Sequence, residues 1–172
     1  MRKSNITYLF CLDEHRNFPE DIKKRFSDGS KYRIIPSSSH MEFLKHFSGE
    51  KEHRNCKVAI LAIYEAKEQS LLTESLTREI KRTDPKTGVV LVYPAEKTEE
   101  IKKAIKFNID TFIPRNDNTI LRLHNAVKKL ISEHNLEIYR RRRNFSLCVL
   151  LSFLFLSGML ILVTYFKFPA YF

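Results

Sequence analysis

Apolar runs of strand length alternate with amphipathic stretches of helix length along the first 144 residues. Ile6 to Leu12 is a continuous apolar run, as expected of a strand covered on both faces. Pro19 to Phe26 follows as a short helix, with Pro19 in the first turn, where its missing N–H costs nothing. Tyr32 to Ile35 reads as a second strand, and Ser39 to Phe47 as a helix with Ser39 at its N-cap. Lys57 to Tyr64 is the third strand. Ser70 to Arg82 is a helix with Leu71, Leu72, Leu76 and Ile80 on its apolar face. Val89 to Tyr93 is the fourth strand. Thr98 to Phe107 is predicted helical, capped by Thr98, with Glu99 and Glu100 suiting the positive end of its dipole. Thr111 to Ile113 is a short fifth strand. Asn118 caps a last helix whose sheet-facing stripe is Ile120, Leu123, Val127, Leu130 and Ile131.

Strands that alternate strictly with helices predict a parallel sheet covered on both faces. Five such pairs in this length predict an α/β, flavodoxin-like (βα)5 doubly wound fold. Ligands of such folds bind outside the carboxyl ends of the strands, at the point where strand order reverses. The residues placed there are Asp13, Glu14, Ala62, Tyr93 and Arg115.

The pattern changes near the C-terminus. Arg140, Arg141, Arg142 and Arg143 abut Phe145 to Phe166, a run of 22 residues without an ionisable acid or base. Fourteen of them are Leu, Ile, Phe or Val, and the run is apolar all round rather than along one stripe. As a helix at about 1.5 Å per residue it is long enough for a hydrocarbon core of about 30 Å. Four arginines precede the run and only Lys167 follows it, so the positive-inside bias keeps the N-terminal part cytoplasmic. No Gly or Pro occurs between Arg115 and Ser157, so the last helix is expected to extend into the span. The expected organisation is a domain over 1–134, a basic helical stalk over 135–144, a transmembrane helix over 145–166 and a far-side tail over 167–172. The span lacks GxxxG, and Ser152, Ser157 and Gly158 make a weak packing face, which leaves homodimerisation open.

The span alters the meaning of the charge. The chain is +10 overall, but without the arginine cluster and Lys167 there are 25 Lys and Arg against 20 acids. A basic flank beside a span is explained by topology and by anionic lipid, at roughly 1 kcal/mol per Lys or Arg near the surface. Nucleic acid is therefore not the favoured partner. Cys11, Cys56 and Cys148 form neither a CxxC nor a disulfide framework, and the six histidines form no HExxH. With four glycines, no Gly-rich phosphate loop and no nucleophile–base pair, the chain does not read as an enzyme.

The element order and strand ends resemble the receiver domains of two-component response regulators, over about residues 4 to 134. In that family an acidic pair follows the first strand, and Asp13-Glu14 matches it. An aspartate that accepts phosphate ends the third strand, where this chain has Ala62. A small hydroxyl residue ends the fourth, where Tyr93 stands. A lysine follows the fifth, and Arg115 takes its place. A methyl group supplies no nucleophilic oxygen. Magnesium needs about six oxygen ligands, and Ala62 offers none. Arginine keeps the charge but replaces a flexible point charge with a planar fork. No Asp occurs between Asp28 and Asp84, so a shift of register restores nothing.

The resemblance therefore implies a pseudo-receiver that cannot accept phosphate, anchored in a bacterial inner membrane. It would act as a signalling adaptor or scaffold through a protein partner: a histidine kinase, another receiver or a membrane complex. Arg140 to Arg143 would meet lipid. No cofactor is expected, and no metal beyond a weak cation site at Asp13 and Glu14. Arg115 is placed to pair with either acid and fix one conformation. The alternative is a membrane-tethered basic module that binds nucleic acid or a transcriptional regulator.

Overall fold

The computed structural model describes residues 6–15, 18–50, 55–64, 68–98, 101 and 108–167. Five strands form one parallel sheet in the order β2-β1-β3-β4-β5. They are β1 (Thr7–Leu12), β2 (Tyr32–Ser37), β3 (Lys57–Ala62), β4 (Gly88–Pro94) and β5 (Thr111–Arg115). Four helices are described: α1 (Phe18–Arg25), α2 (His40–Gly49), α3 (Glu68–Thr83) and α4 (Thr119–Lys167). This is the flavodoxin-like receiver fold, and strand order reverses between β1 and β3.

Alternation along each strand builds two cores. Phe10, Leu12, Leu61, Ile63, Leu91 and Tyr93 meet Phe43 and Phe47 of α2 and Leu76 and Ile80 of α3. The residues between them, Leu9, Cys11, Val58, Ile60, Val90 and Val92, meet Phe18 and Ile22 of α1 and Leu123 and Val127 of α4. β1 and β3 are buried at every position, which is why both read as unbroken apolar runs.

The ends of the elements carry their own explanations. Ser39 caps α2 and accepts from the Glu42 N–H at 3.3 Å, as its type predicts. Asn118 stands just before α4, and its carbonyl accepts the first helical bond, from Arg122 N at 3.0 Å. β2 and β5 run further than their apolar patterns, through Pro36 and Pro114. Both are edge strands, where a missing N–H is tolerated.

Two expectations need correction. Leu72 is 53% exposed; the buried stripe of α3 is Thr73, Leu76, Thr77 and Ile80, one position further round the helix. Thr98 is not an N-cap: its backbone is already helical (φ −54°, ψ −47°), after a 3-10 turn over Ala95–Lys97, and its hydroxyl donates to the Ala95 carbonyl at 2.7 Å. Most of the helix expected over 98–107 lies outside the described residues, although Ile101 is buried in the α2/α3 core.

The chain divides into two compact units, Met1–Ser132 and Glu133–Phe172. The sheet lies in the first. In the second, α4 contains an 18-residue stretch of mean hydropathy 2.5, none of it buried. Phe145, Phe153, Phe155 and Leu160 are each at least 67% exposed there, and the helix is long and apolar enough to cross a membrane.

Candidate functional site

The strand register sets the site. Leu12 of β1 lies beside Leu61 of β3, so Asp13 and Ala62 are the next residues on the two strands. Asp13 is 1% exposed, and its backbone N–H donates to the Ser37 carbonyl of β2 at 3.1 Å. Glu14, its sequence neighbour, is exposed. The acidic pair is thus divided between interior and solvent.

A buried carboxylate needs donors, because each unpaired oxygen costs free energy of order 1–3 kcal/mol or more. Asp13 has three. The Phe18 N–H, at the start of α1, donates to Oδ2 at 2.8 Å. The His15 N–H donates to Oδ1 at 3.2 Å, closing the turn after β1. The Tyr64 hydroxyl donates to the same Oδ1 at 2.7 Å. Tyr64 lies two residues past β3 and reaches across to the residue that follows β1.

Arg115, the last residue of β5, packs against the Tyr64 ring. Its guanidinium carbon lies 4.1 Å from the centre of the Tyr64 ring and 5.7 Å from that of Phe18. A planar guanidinium stacks on an aromatic face in a way an ammonium does not. The His15 ring meets Tyr64 edge-on at 4.1 Å. Arg115 Nη2 is buried and has no acceptor among the described residues. Burial pushes the Tyr64 phenol up, the bond to Asp13 adds to this, and Arg115 opposes it. The Cys11 thiol, pushed up to about 12 by burial and then by Asp13, is an inert core group.

The site residues named from sequence have separate fates. Asp13 and Arg115 converge, but through Tyr64 rather than by direct pairing. Ala62 is buried at the rim. Tyr93 belongs to the α2/α3 core, 1% exposed and edge-on to Phe112 at 6.4 Å between centres. Alternation along β4 sends it there with Val89 and Leu91. Sequence reasoning placed Tyr64 at the end of the third strand and gave it no role in the site; β3 ends at Ala62, so Tyr64 lies just beyond it and reaches Asp13. An open cleft of about 310 Å³ adjoins the cluster, lined by Phe18, Asp21, Tyr64, Arg115, Asp117 and Ile120 among others. Among the described residues no three His, Cys, Asp or Glu side chains gather as metal ligands would.

No family model matches the sequence, and no curated protein matches it. Solved structures do. A response regulator receiver domain from Clostridium thermocellum is 21% identical, with a TM-score of 0.61, over 76% of this chain and 98% of that one. A response regulator from Thermotoga maritima is 17% identical, with a TM-score of 0.54, over 74% and 98%. An adenylate cyclase from Rhodopirellula baltica is 9% identical, with a TM-score of 0.60, over 78% and 94%. At these identities the likeness is one of fold.

Proposed function

We propose that this chain is a membrane-anchored pseudo-receiver, a docking module of two-component type signalling that works without accepting phosphate. One observation carries this: the rim position beside Asp13 holds the methyl of Ala62, and the Asp13 carboxylate is engaged by Tyr64 and two backbone N–H groups. Phosphoryl transfer to a side chain needs a nucleophilic oxygen, and a magnesium ion needs carboxylate faces open to it. Neither is offered. The rim is then a surface for a protein partner, such as a histidine kinase, another receiver or a membrane complex.

In the same proposal, residues 1–134 are the docking domain, 135–144 the basic stalk, 145–166 the span and 167–172 the far-side tail. The support is an exposed apolar helix flanked on one side by Arg140, Arg141, Arg142 and Arg143. Those arginines hold the domain on the cytoplasmic face of a bacterial inner membrane and meet anionic headgroups.

Beryllofluoride with magnesium, added to the full chain in nanodiscs and followed by NMR, tests the site. Amides around Asp13 and Ala62 should not move. Saturable shifts there would sink the proposal. Protease protection in inverted inner-membrane vesicles tests the anchor: the domain should be digested while a fragment containing 145–166 survives.

A further inference from the structure

The exposed charges of the sheet domain are sorted along the strand axis. All strands are parallel, so one edge of the sheet carries every strand start and the opposite rim every strand end. A helix that joins two parallel strands finishes at the amino edge, and its carbonyl end favours cations. Arg25 closes α1, Arg82 lies in the last turn of α3, and Lys128 lies near the same edge on α4. All three are exposed, and none forms an ion pair among the described residues. The aspartates of that edge are already engaged: Asp28, Asp84 and Asp110 pair with Lys31, Lys57 and Lys81. At the carboxyl rim the sign reverses, and Glu14, Glu96 and Asp117 are exposed there.

Arg25 and Lys128 converge where α1 and α4 lie side by side. The rings of Phe26 and His124 are 5.3 Å apart, and the His124 imidazole is held below its ordinary 6.5 by burial first and then by these two cations. The chain also leaves the domain here. A Cβ on Gly88, the first residue of β4, would lie 2.8 Å from Leu130, so the first compact unit ends, at Ser132, beside the amino edge. Only residues 133–144 then separate it from the apolar run, and even fully extended they reach no further than about 43 Å. A surface tethered so near a membrane meets its headgroups at high effective concentration.

We propose that the amino edge of the sheet is the membrane-facing surface of this domain: Arg25, Arg82 and Lys128 bind anionic lipid headgroups and leave the carboxyl rim turned to the cytoplasm. The inference rests on the anchoring proposed above and deepens it. Arg140 to Arg143 flank the bilayer, whereas these three cations fix which way the domain faces. Anionic headgroups attract the cationic edge and repel the rim carboxylates, so both ends favour one orientation. The Asp13, Tyr64 and Arg115 cluster, with its cleft, is then open to a soluble partner.

The full chain in nanodiscs that carry a gadolinium-chelating lipid tests this through the relaxation of its backbone amides. Strands of six residues hold the two edges about 20 Å apart, which a steeply distance-dependent probe resolves. With phosphatidylglycerol in the disc, amides at Arg25, Arg82 and Lys128 should relax at least about threefold faster than those at Glu14, Glu96 and Asp117. In phosphatidylcholine alone, or in about 0.5 M salt, where the screening length is about 4 Å, the difference should vanish. The double variant Arg25→Glu, Lys128→Glu keeps Arg140 to Arg143 and should also lose it. If that variant fails to fold, the salt series on the wild type decides. Equal relaxation at both edges in anionic discs, or faster relaxation at the rim, overturns the proposal. So does a difference that survives salt. Shifts at Arg25 and Lys128 that appear with duplex DNA but not with phosphatidylglycerol give the edge to nucleic acid and overturn it too. A chain that elutes apart from the discs overturns the anchoring and this inference together; a chain retained in them with no preferred edge overturns this inference alone.

Discussion

Removing one oxygen atom, by Tyr64→Phe, should destabilise the sheet domain measurably. The hydroxyl donates at 2.7 Å to a carboxylate that is 1% exposed. Hydrogen bonds to charged groups contribute about 1.5–3 kcal/mol net, and Tyr64 is partly solvated, so a loss of about 1–2 kcal/mol is expected. The ring and its stacking with Arg115 are retained, so packing changes contribute little. Urea unfolding of the full chain in mild detergent measures this. The chain has no Trp, so near-ultraviolet tyrosine dichroism is the probe. Tyr139→Phe is the control: that ring is 65% exposed, and its hydroxyl should be worth less than about 0.5 kcal/mol. A cycle with Asp13→Ala should return a coupling of about 1 kcal/mol. The loss should also depend on pH. The Tyr64 phenol is held above its ordinary 10.0 by burial first and Asp13 second. The unfolded chain therefore loses that proton first, so the stabilisation is complete below about pH 10 and disappears as pH rises through the folded value. Tyr64→Phe should flatten that alkaline decline. Equal midpoints for Tyr64→Phe and Tyr139→Phe, with no coupling to Asp13, would refute the assignment of the contact.

A Cβ on Gly88 would lie 2.8 Å from Leu130 Cδ1, so Gly88→Ala should cost under about 1 kcal/mol by shifting that flexible tip, and Gly88→Val about 1–3 kcal/mol; unfolding midpoints rank the two. Lys57 is 3% exposed, donates to the Glu50 carbonyl at 2.7 Å and lies 3.6 Å from Asp84. Asp84→Ala should therefore cost about 3 kcal/mol by stranding an ammonium, and Lys57→Met in the same background should recover part of it in the same assay. The His124 imidazole is held below its ordinary 6.5 by burial, then by Lys128 and Arg25. Its contribution to stability is present above about pH 6.5 and lost as pH falls through the folded value. Lys128→Glu should raise the His124 midpoint in an NMR titration and lessen that acid loss.

Periodicity made the fold legible because both cores rest on alternation that any apolar residue satisfies. Leu9 and Phe10 reach opposite faces whatever their shapes, and Leu123 and Val127 find the sheet by spacing alone. Pro36 and Pro114 shortened two expected strands because an edge position, which tolerates proline, is a property of the whole sheet. Leu72 misled because its hydrophobicity says nothing of phase, and Thr73 and Thr77 occupy the buried positions instead. The candidate site was half visible. Asp13 and Arg115 were named from strand ends, but the reach of Tyr64 from past β3 to β1 is a three-dimensional fact. No spacing in the sequence encodes a ring that touches two charged residues 102 positions apart. Tyr93 was assigned to the rim by position, whereas its face of β4 belongs to the core.

Pro36 and Pro114 have a further consequence. They lie in β2 and β5, the two outer strands, so each free margin of the sheet lacks one backbone donor. An incoming strand cannot form an unbroken ladder on either side. Under the proposed anchoring, copies share one membrane surface, and crowding is where strand-to-strand aggregation begins. The fold is guarded against it at both margins. Binding by strand addition is disfavoured for the same reason, which leaves the helix faces and the rim of strand ends as the surfaces through which another protein can be recognised.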